Sequence, residues 1–129
     1  MTKPTYDDAE VMLRLMQMYP VDAANYIWSD EFIPDHDEFV AKQAGRPEAG
    51  GSIRAVLGWF ESVGTLYKHG LMNEELLFDW LAIDAVWDRV KGHALALREE
   101  TGNAHFYENF EAMADAQVAW SARRDRTAA

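Results

Sequence analysis

Four histidines, His36, His69, His93 and His105, and 22 acidic side chains are the groups with which this 129-residue sequence could do acid–base or metal chemistry. There is no cysteine, which removes disulfides, thiolate metal ligands, thiol nucleophiles and iron–sulfur clusters together. A di-metal centre in a helical bundle needs Glu-x-x-His twice, plus a further glutamate from each of two other helices. The sequence contains no Glu-x-x-His. His105 and Glu108 form the reversed pair, in the first turn of an expected helix where the dipole alone favours a glutamate. His36, between Asp35 and Asp37, reads as a solvated helix start. His69 precedes Gly70 at a helix C-terminus, where an imidazole complements orphan carbonyls. His93, beside Gly92 on the polar flank of its helix, reads as structural or exposed. No metal ligand set and no cofactor is expected from this pattern.

Hydroxyl nucleophiles have no better support, because Gly-x-Ser-x-Gly is absent and Ser29, Ser52, Ser62 and Ser121 fall on helix surfaces or caps. Gly50-Gly51-Ser52 lacks the lysine of a phosphate-binding loop. No catalytic residue is assigned. Among the carboxylates, Glu61 lies opposite the apolar stripe of its helix and is expected to be solvated. Asp79, inside Leu76-Leu77-Phe78-Asp79-Trp80-Leu81, is flanked by bulky apolar residues and reads as a partly buried acceptor for a backbone or tryptophan N–H. Five tryptophans mark the composition. Trp28, Trp87 and Trp120 fall on core stripes, whereas Trp59 and Trp80 stand off them and, with Asp79, are the candidate rim of a binding pocket. Met12, Met16, Met18 and Met113 read as core gap-fillers.

Helices must position these groups, and helical periodicity runs through nearly the whole chain. A first helix is expected over residues 6–19, capped by Thr5 with Asp8 three positions on. A second follows over 21–32, on the stripe Val21, Ala24, Ile27, Trp28 and Phe32. Pro34 stops it, and Asp35 with Glu38 opens a third through about residue 44. The Gly- and Pro-rich stretch 44–51 reads as a flexible loop. Ser52 then caps the clearest helix, striped by Ile53, Val56, Leu57, Phe60, Val63, Gly64 and Tyr67. Gly70 ends it and Asn73 caps the next segment, which is expected to break near Leu81. The stripe Ile83, Val86, Trp87, Val90, Ala94 and Leu97 forms another helix, closed by Gly102. After a tight reversal a last helix starts near Ala104, with Phe106, Phe110, Met113, Gln117 and Trp120 on one face, and 123–129 as a tail. No strand shows period-two alternation. The expected fold is all-α, a single domain over 1–129 of six or seven helices, with the part over 52–120 at its centre.

The run from Gly64 to Trp80, with its Leu77-Phe78-Asp79-Trp80 segment, followed by Trp87, Gly102-Asn103 and Tyr107-Glu108-Asn109-Phe110-Glu111, resembles a widespread bacterial family of small all-helical domains of unknown function. The resemblance covers roughly residues 52–120, with 1–51 matched loosely. It implies a compact helical domain and a bacterial source, and it carries over no catalytic residue. Asp79 and Asn109 are the polar positions inside the matching segments, hence the places for structural hydrogen bonds.

Charge is the global feature with functional content. The formal net charge is −10, and residues 1–38 carry nine acids against two bases. Direct nucleic-acid binding is disfavoured. No apolar run reaches the roughly 20 residues that span a bilayer, and the first residues lack a signal-peptide pattern, so a cytoplasmic protein without membrane insertion is expected. The leading functional reading is a non-enzymatic protein-interaction or regulatory module whose acidic front, with Asp30, Glu31, Asp35 and Asp37, meets a protein with a basic surface. Two alternatives remain: a small-molecule-binding or enzymatic bundle using Trp59, Asp79 and Trp80, and an acidic decoy of a nucleic-acid-binding surface. Val11, Leu15 and Met18, off the main stripe of the first helix, point to a homodimer. The ligand spacing predicts that elemental analysis of the purified protein finds no stoichiometric divalent metal; about one zinc or iron per chain would overturn it.

Overall fold

The computed structural model describes residues 3–43 and 47–128. Thr5 and Asp8 make a reciprocal capping box, the Asp8 N–H donating to the Thr5 hydroxyl at 3.1 Å and the Thr5 N–H to Asp8 Oδ2 at 2.9 Å. This opens α1 (Tyr6–Gln17), followed by α2 (Val21–Ile27), α3 (His36–Gln43), α4 (Pro47–Lys68), α5 (Glu74–Trp80), α6 (Ile83–Thr101) and α7 (Glu108–Ala128). No strand occurs among the described residues. Among the described residues these seven helices enclose one continuous core, centred on Leu57, Phe60, Val63, Leu77, Ile83, Val90, Phe110 and Met113, against which α3 packs Phe39. The chain is therefore all-α, with α4, α6 and α7 at its centre.

Aromatic contacts lock that centre. The Phe60 and Phe110 rings stack at 4.8 Å between centroids, and Trp87 meets Phe110 edge-on at 5.0 Å. Asp84 donates its backbone N–H to Gln117 near the start of α6, while Arg98 near its end pairs with Glu111, so α6 and α7 run antiparallel. At the crossing of α4 and α7, a Cβ on Gly64 would stand 2.6 Å from the Asn109 carbonyl oxygen. Only glycine lets the two backbones approach so closely.

Several local expectations change. Helix α4 begins at Pro47, ahead of Ser52, because proline's fixed φ suits a first helical turn. Of the loop expected over 44–51, residues 47–51 are helical and 44–46 lie outside the described residues. Helix α2 ends at Ile27, well before the buried Phe32, so Trp28 leaves its core stripe and is 53% exposed. Met18 and Leu13 are likewise exposed, while Leu15 is buried. Helix α7 runs on through most of the expected tail.

Glu61 carries the largest correction. Phe106 and Tyr107 precede α7 rather than opening it, and Tyr107 has φ 58°, in the left-handed region. The orphan N–H groups of Asn109 and Phe110 find their acceptor across the helix crossing. Both donate to Glu61 Oε1, at 3.0 and 2.9 Å, and Asn109 Nδ2 donates to Oε2 at 2.8 Å. A carboxylate from α4 thus caps α7 and meets the positive end of its dipole. Glu61→Gln keeps a single acceptor oxygen and no charge, and is expected to cost about 1–2 kcal/mol of stability. Gly64→Ala is expected to cost about 1–3 kcal/mol, since backbone must move to admit the methyl. Both appear as a lower urea midpoint with unchanged slope.

Candidate functional site

Between α2 and α3 the chain runs through Trp28 to Asp35 without helix, and such a connector needs partners for its backbone carbonyls. One face of α6 supplies them. Arg89 Nε donates to the Ile27 carbonyl at 2.7 Å and its terminal Nη2 to the Ser29 carbonyl at 3.1 Å. Its guanidinium also lies over the Phe32 ring at 5.0 Å and the Trp28 ring at 5.7 Å. One turn on, His93 Nε2 meets the Ile33 carbonyl at 2.9 Å. Beside it the Pro34 carbonyl approaches α6 so closely that a Cβ on Gly92 would stand 2.6 Å away.

The strap ends in two imidazoles. His36 Nδ1 lies 3.0 Å from His93 Nδ1, and His36 Nε2 lies 3.2 Å from Glu100 Oε1. His93 is 2% exposed, with Phe32 and Phe39 edge-on to its ring. Burial pushes its pKa down; the Ile33 carbonyl and Asp35 pull it up and His36 pushes it down further, without offsetting the burial. His36 is thus part of a buried-to-surface chain rather than a solvated helix start, and His93 is core rather than flank. On α6, Arg89, His93 and Glu100 stand at i, i+4 and i+11, with the small Ala96 at i+7 between the last two, and so share one stripe. That spacing was the available signal for a polar stripe facing protein rather than water.

Asp30, Glu31, Asp35, Asp37 and Glu38 are all exposed, Asp30 and Glu31 in the connector, and Asp35, Asp37 and Glu38 where α3 begins. Asp35 Oδ1 accepts the Glu38 N–H at 2.8 Å, which caps α3. Asp30, Glu31, Asp35 and Asp37 thus fall in one run of the chain with Trp28, each of them exposed.

Asp79 and Trp80 line a common groove whose lining does not include Trp59. Trp59 is half-buried, donates its indole N–H to the Leu15 carbonyl at 3.1 Å and packs edge-on to Tyr19 at 4.9 Å, which ties the end of α1 to α4. Asp79 and Trp80 are exposed and line an open groove of about 330 Å³ with Leu81, Trp120 and Arg124. Asp79 is consequently no buried acceptor. The buried polar side chain of that region is Gln117, whose Nε2 donates to the Phe78 and Leu81 carbonyls at 3.1 and 2.6 Å.

One further titratable group is strongly displaced. Burial, then the hydrogen bond from its hydroxyl to Glu74 Oε2 at 2.7 Å, pushes the Tyr67 pKa up to about 12. Such a hydroxyl stays protonated and serves as a fixed donor joining α4 to α5. Among the described residues, no group of three or more His, Cys, Asp or Glu side chains is placed to share a metal ion, and no helix is long and apolar enough to cross a membrane.

A family model described as a domain of unknown function, DUF4760, matches residues 7–120, from the first turn of α1 to Trp120 in α7. The match therefore takes in the acidic connector as well as the central helices. No curated protein and no solved structure matches the chain. With nearly its whole length covered by that model, the chain belongs to the DUF4760 family of domains of unknown function.

Proposed function

We propose that this domain is a non-enzymatic protein-interaction module whose contact face is the α2–α3 connector together with the start of α3. The observation that carries the reading is Trp28. An indole 53% exposed, braced by the Arg89 guanidinium and followed two and three residues on by the exposed Asp30 and Glu31, offers a partner a large rigid apolar anchor close in sequence to negative charge. Because α6 side chains hold the connector by its carbonyls, the carboxylates are free of that task and project to solvent. A partner that fits has a basic rim around an apolar or aromatic pocket.

Steering and anchoring divide the work. Exposed carboxylates accelerate encounter over distances that salt shortens, from a Debye length of about 10 Å at 0.1 M to about 3 Å at 1 M. A buried aromatic anchor mainly governs dissociation. Replacing Asp30, Glu31, Asp35 and Asp37 by Asn or Gln is accordingly expected to slow association with a protein retained from native extract, and Trp28→Ala to speed dissociation. Surface plasmon resonance at low and high salt reads both rates. Association that is equally fast at both salts and unchanged in the quadruple variant would return these residues to a solubility role.

A second copy of the chain is a further reading, favoured by the exposed Leu13, Met18 and Val21 at the α1–α2 corner. Sedimentation at micromolar concentration is expected to show a homodimer; a lone 14.7 kDa species would reject it. The small-molecule alternative keeps Asp79 and Trp80 on the open groove beside Arg124 but loses Trp59, which lines other surroundings.

A further inference from the structure

Helix α7 buries one side and leaves the other open to water. Phe110, Met113, Gln117 and Trp120 are buried, whereas the opposite line of the helix runs through Glu108, Ala112, Asp115, Ala119, Ala122 and Arg126. Glu108 is half-buried and the other five are exposed. The intervals are four, three, four, three and four residues, the repeat along which one helix meets another lengthwise. A helix line facing water is ordinarily polar throughout. Here three of the four inner positions are alanine, and opposite charges close the two ends.

Those charges decide what covers the line. Glu108 is negative at the start of α7 and Arg126 positive near its finish, and among the described residues Arg126 has no ion-pair partner. A second copy of the helix, turned end for end about an axis at the level of residue 117, sets Glu108 against Arg126, Ala112 against Ala122 and Asp115 against Ala119, each pair equally far from the axis. A parallel copy would set like charge on like. We propose that two copies of the chain pair antiparallel through this face of α7, with Glu108 of each bound to Arg126 of the other.

The surroundings of the line suit that occupant. Val118, one residue from the axis and 55% exposed, meets its own counterpart at the edge of the contact. Beside Ala112 an open groove of about 420 Å³ lies between α4 and α7, with Gly64, Tyr67, Lys68 and Met113 in its lining. An arginine stem from the second copy covers such a groove while its guanidinium reaches Glu108. Glu108 holds His105 through Oε2 at 2.7 Å, which leaves Oε1 for the arriving cation. Alanine at the inner positions lets the helix axes approach to the short end of the usual range of about 8–10 Å.

Two charges oppose the pairing and set its strength. Lys68 lies at the groove where the guanidinium arrives. The two copies of Asp115 fall on either side of the axis, about 6 Å apart along the helix direction. The line as a whole holds two acids and one base, so it contributes −1 of the chain's −10. Association is therefore reversible, and relieving Asp115 strengthens it.

Sedimentation equilibrium of the full chain between about 5 and about 500 µM suits a contact at the small end of specific interfaces, and a monomer–dimer equilibrium is expected. Ala119→Glu sets a carboxylate against Asp115 of the other copy and is expected to weaken dimerisation about tenfold or more. Asp115→Ala is expected to strengthen it about threefold or more, a gain that a role within one copy would not produce. Glu108→Lys and Arg126→Glu are each expected to weaken the dimer, and the double variant to recover it, with circular dichroism unchanged throughout.

Register is read separately by cross-linking, since the chain has no cysteine of its own. When Ala112→Cys and Ala122→Cys chains are mixed in equal amounts and oxidised, the mixed disulfide is expected to exceed the roughly half share of random pairing. A chain that stays monomeric at the highest concentration, like-with-like disulfides in excess, an Asp115→Ala variant no tighter than the parent, or a charge swap without recovery would overturn the pairing. So would a dimer lost in Leu13→Ser with Met18→Ser and kept in Ala119→Glu, which would assign the second copy to the α1–α2 corner. None of these variants touches Trp28 or the connector, so the contact-face reading is tested apart from this one.

Discussion

Several helix ends in this domain are satisfied by side chains from other helices, and much of the bundle's arrangement follows from that constraint. Every α-helix leaves orphan N–H and C=O groups that cost free energy when buried without partners. Here Glu61 of α4 serves the start of α7, Gln117 of α7 serves the end of α5 and the start of α6, and Trp59 of α4 serves the end of α1. Arg89 and His93 of α6 serve the end of α2 and the connector beyond it. Each tie fixes where one helix stops and which neighbour it must touch, so hydrophobic burial, which is not directional, acquires a direction.

The same device builds the surface. Holding the connector by its carbonyls leaves the Trp28, Asp30, Glu31 and Asp35 side chains exposed while Phe32 turns into the core. Arg89 serves both roles, its nitrogens binding backbone while its planar face supports an indole. Where α5 meets α6, by contrast, Gln117 takes the carbonyls and the flanking Asp79 and Trp80 are left lining an open groove.

What could be read from the sequence was set by range. Thr5 with Asp8, Asn73 ahead of Leu76, the left-handed Gly70 and Gly102, and the break at Leu81 are local signals, and the structure has all of them. The stripes through Ile53 to Val63 and Ile83 to Ala94 were legible because period 3.6 reports a buried face directly. Glu61, His36 and His93 were read as solvated or incidental, because a polar residue's helical angle says which way it points and not whether another helix's end lies there. Trp28 failed for a related reason: α2 stops at Ile27, and beyond a helix end the stripe no longer predicts orientation. Of the three residues grouped as a pocket rim, Asp79 and Trp80 stayed together and Trp59 was taken by the Leu15 carbonyl.

The cross-helix ties join residues far apart in the chain, 44 positions for Trp59 and Leu15, 48 for Glu61 and Asn109, 60 for His93 and Ile33 and 62 for Arg89 and Ile27. Loops of that size close late and at an entropic cost that local helix formation does not recover. A fragment holding α1 to α3 would retain its helical sequence and lose the donors from α4 and α6 that end α1 and α2. The bundle consequently has few ways to come apart in pieces, and its central helices behave as one cooperative unit.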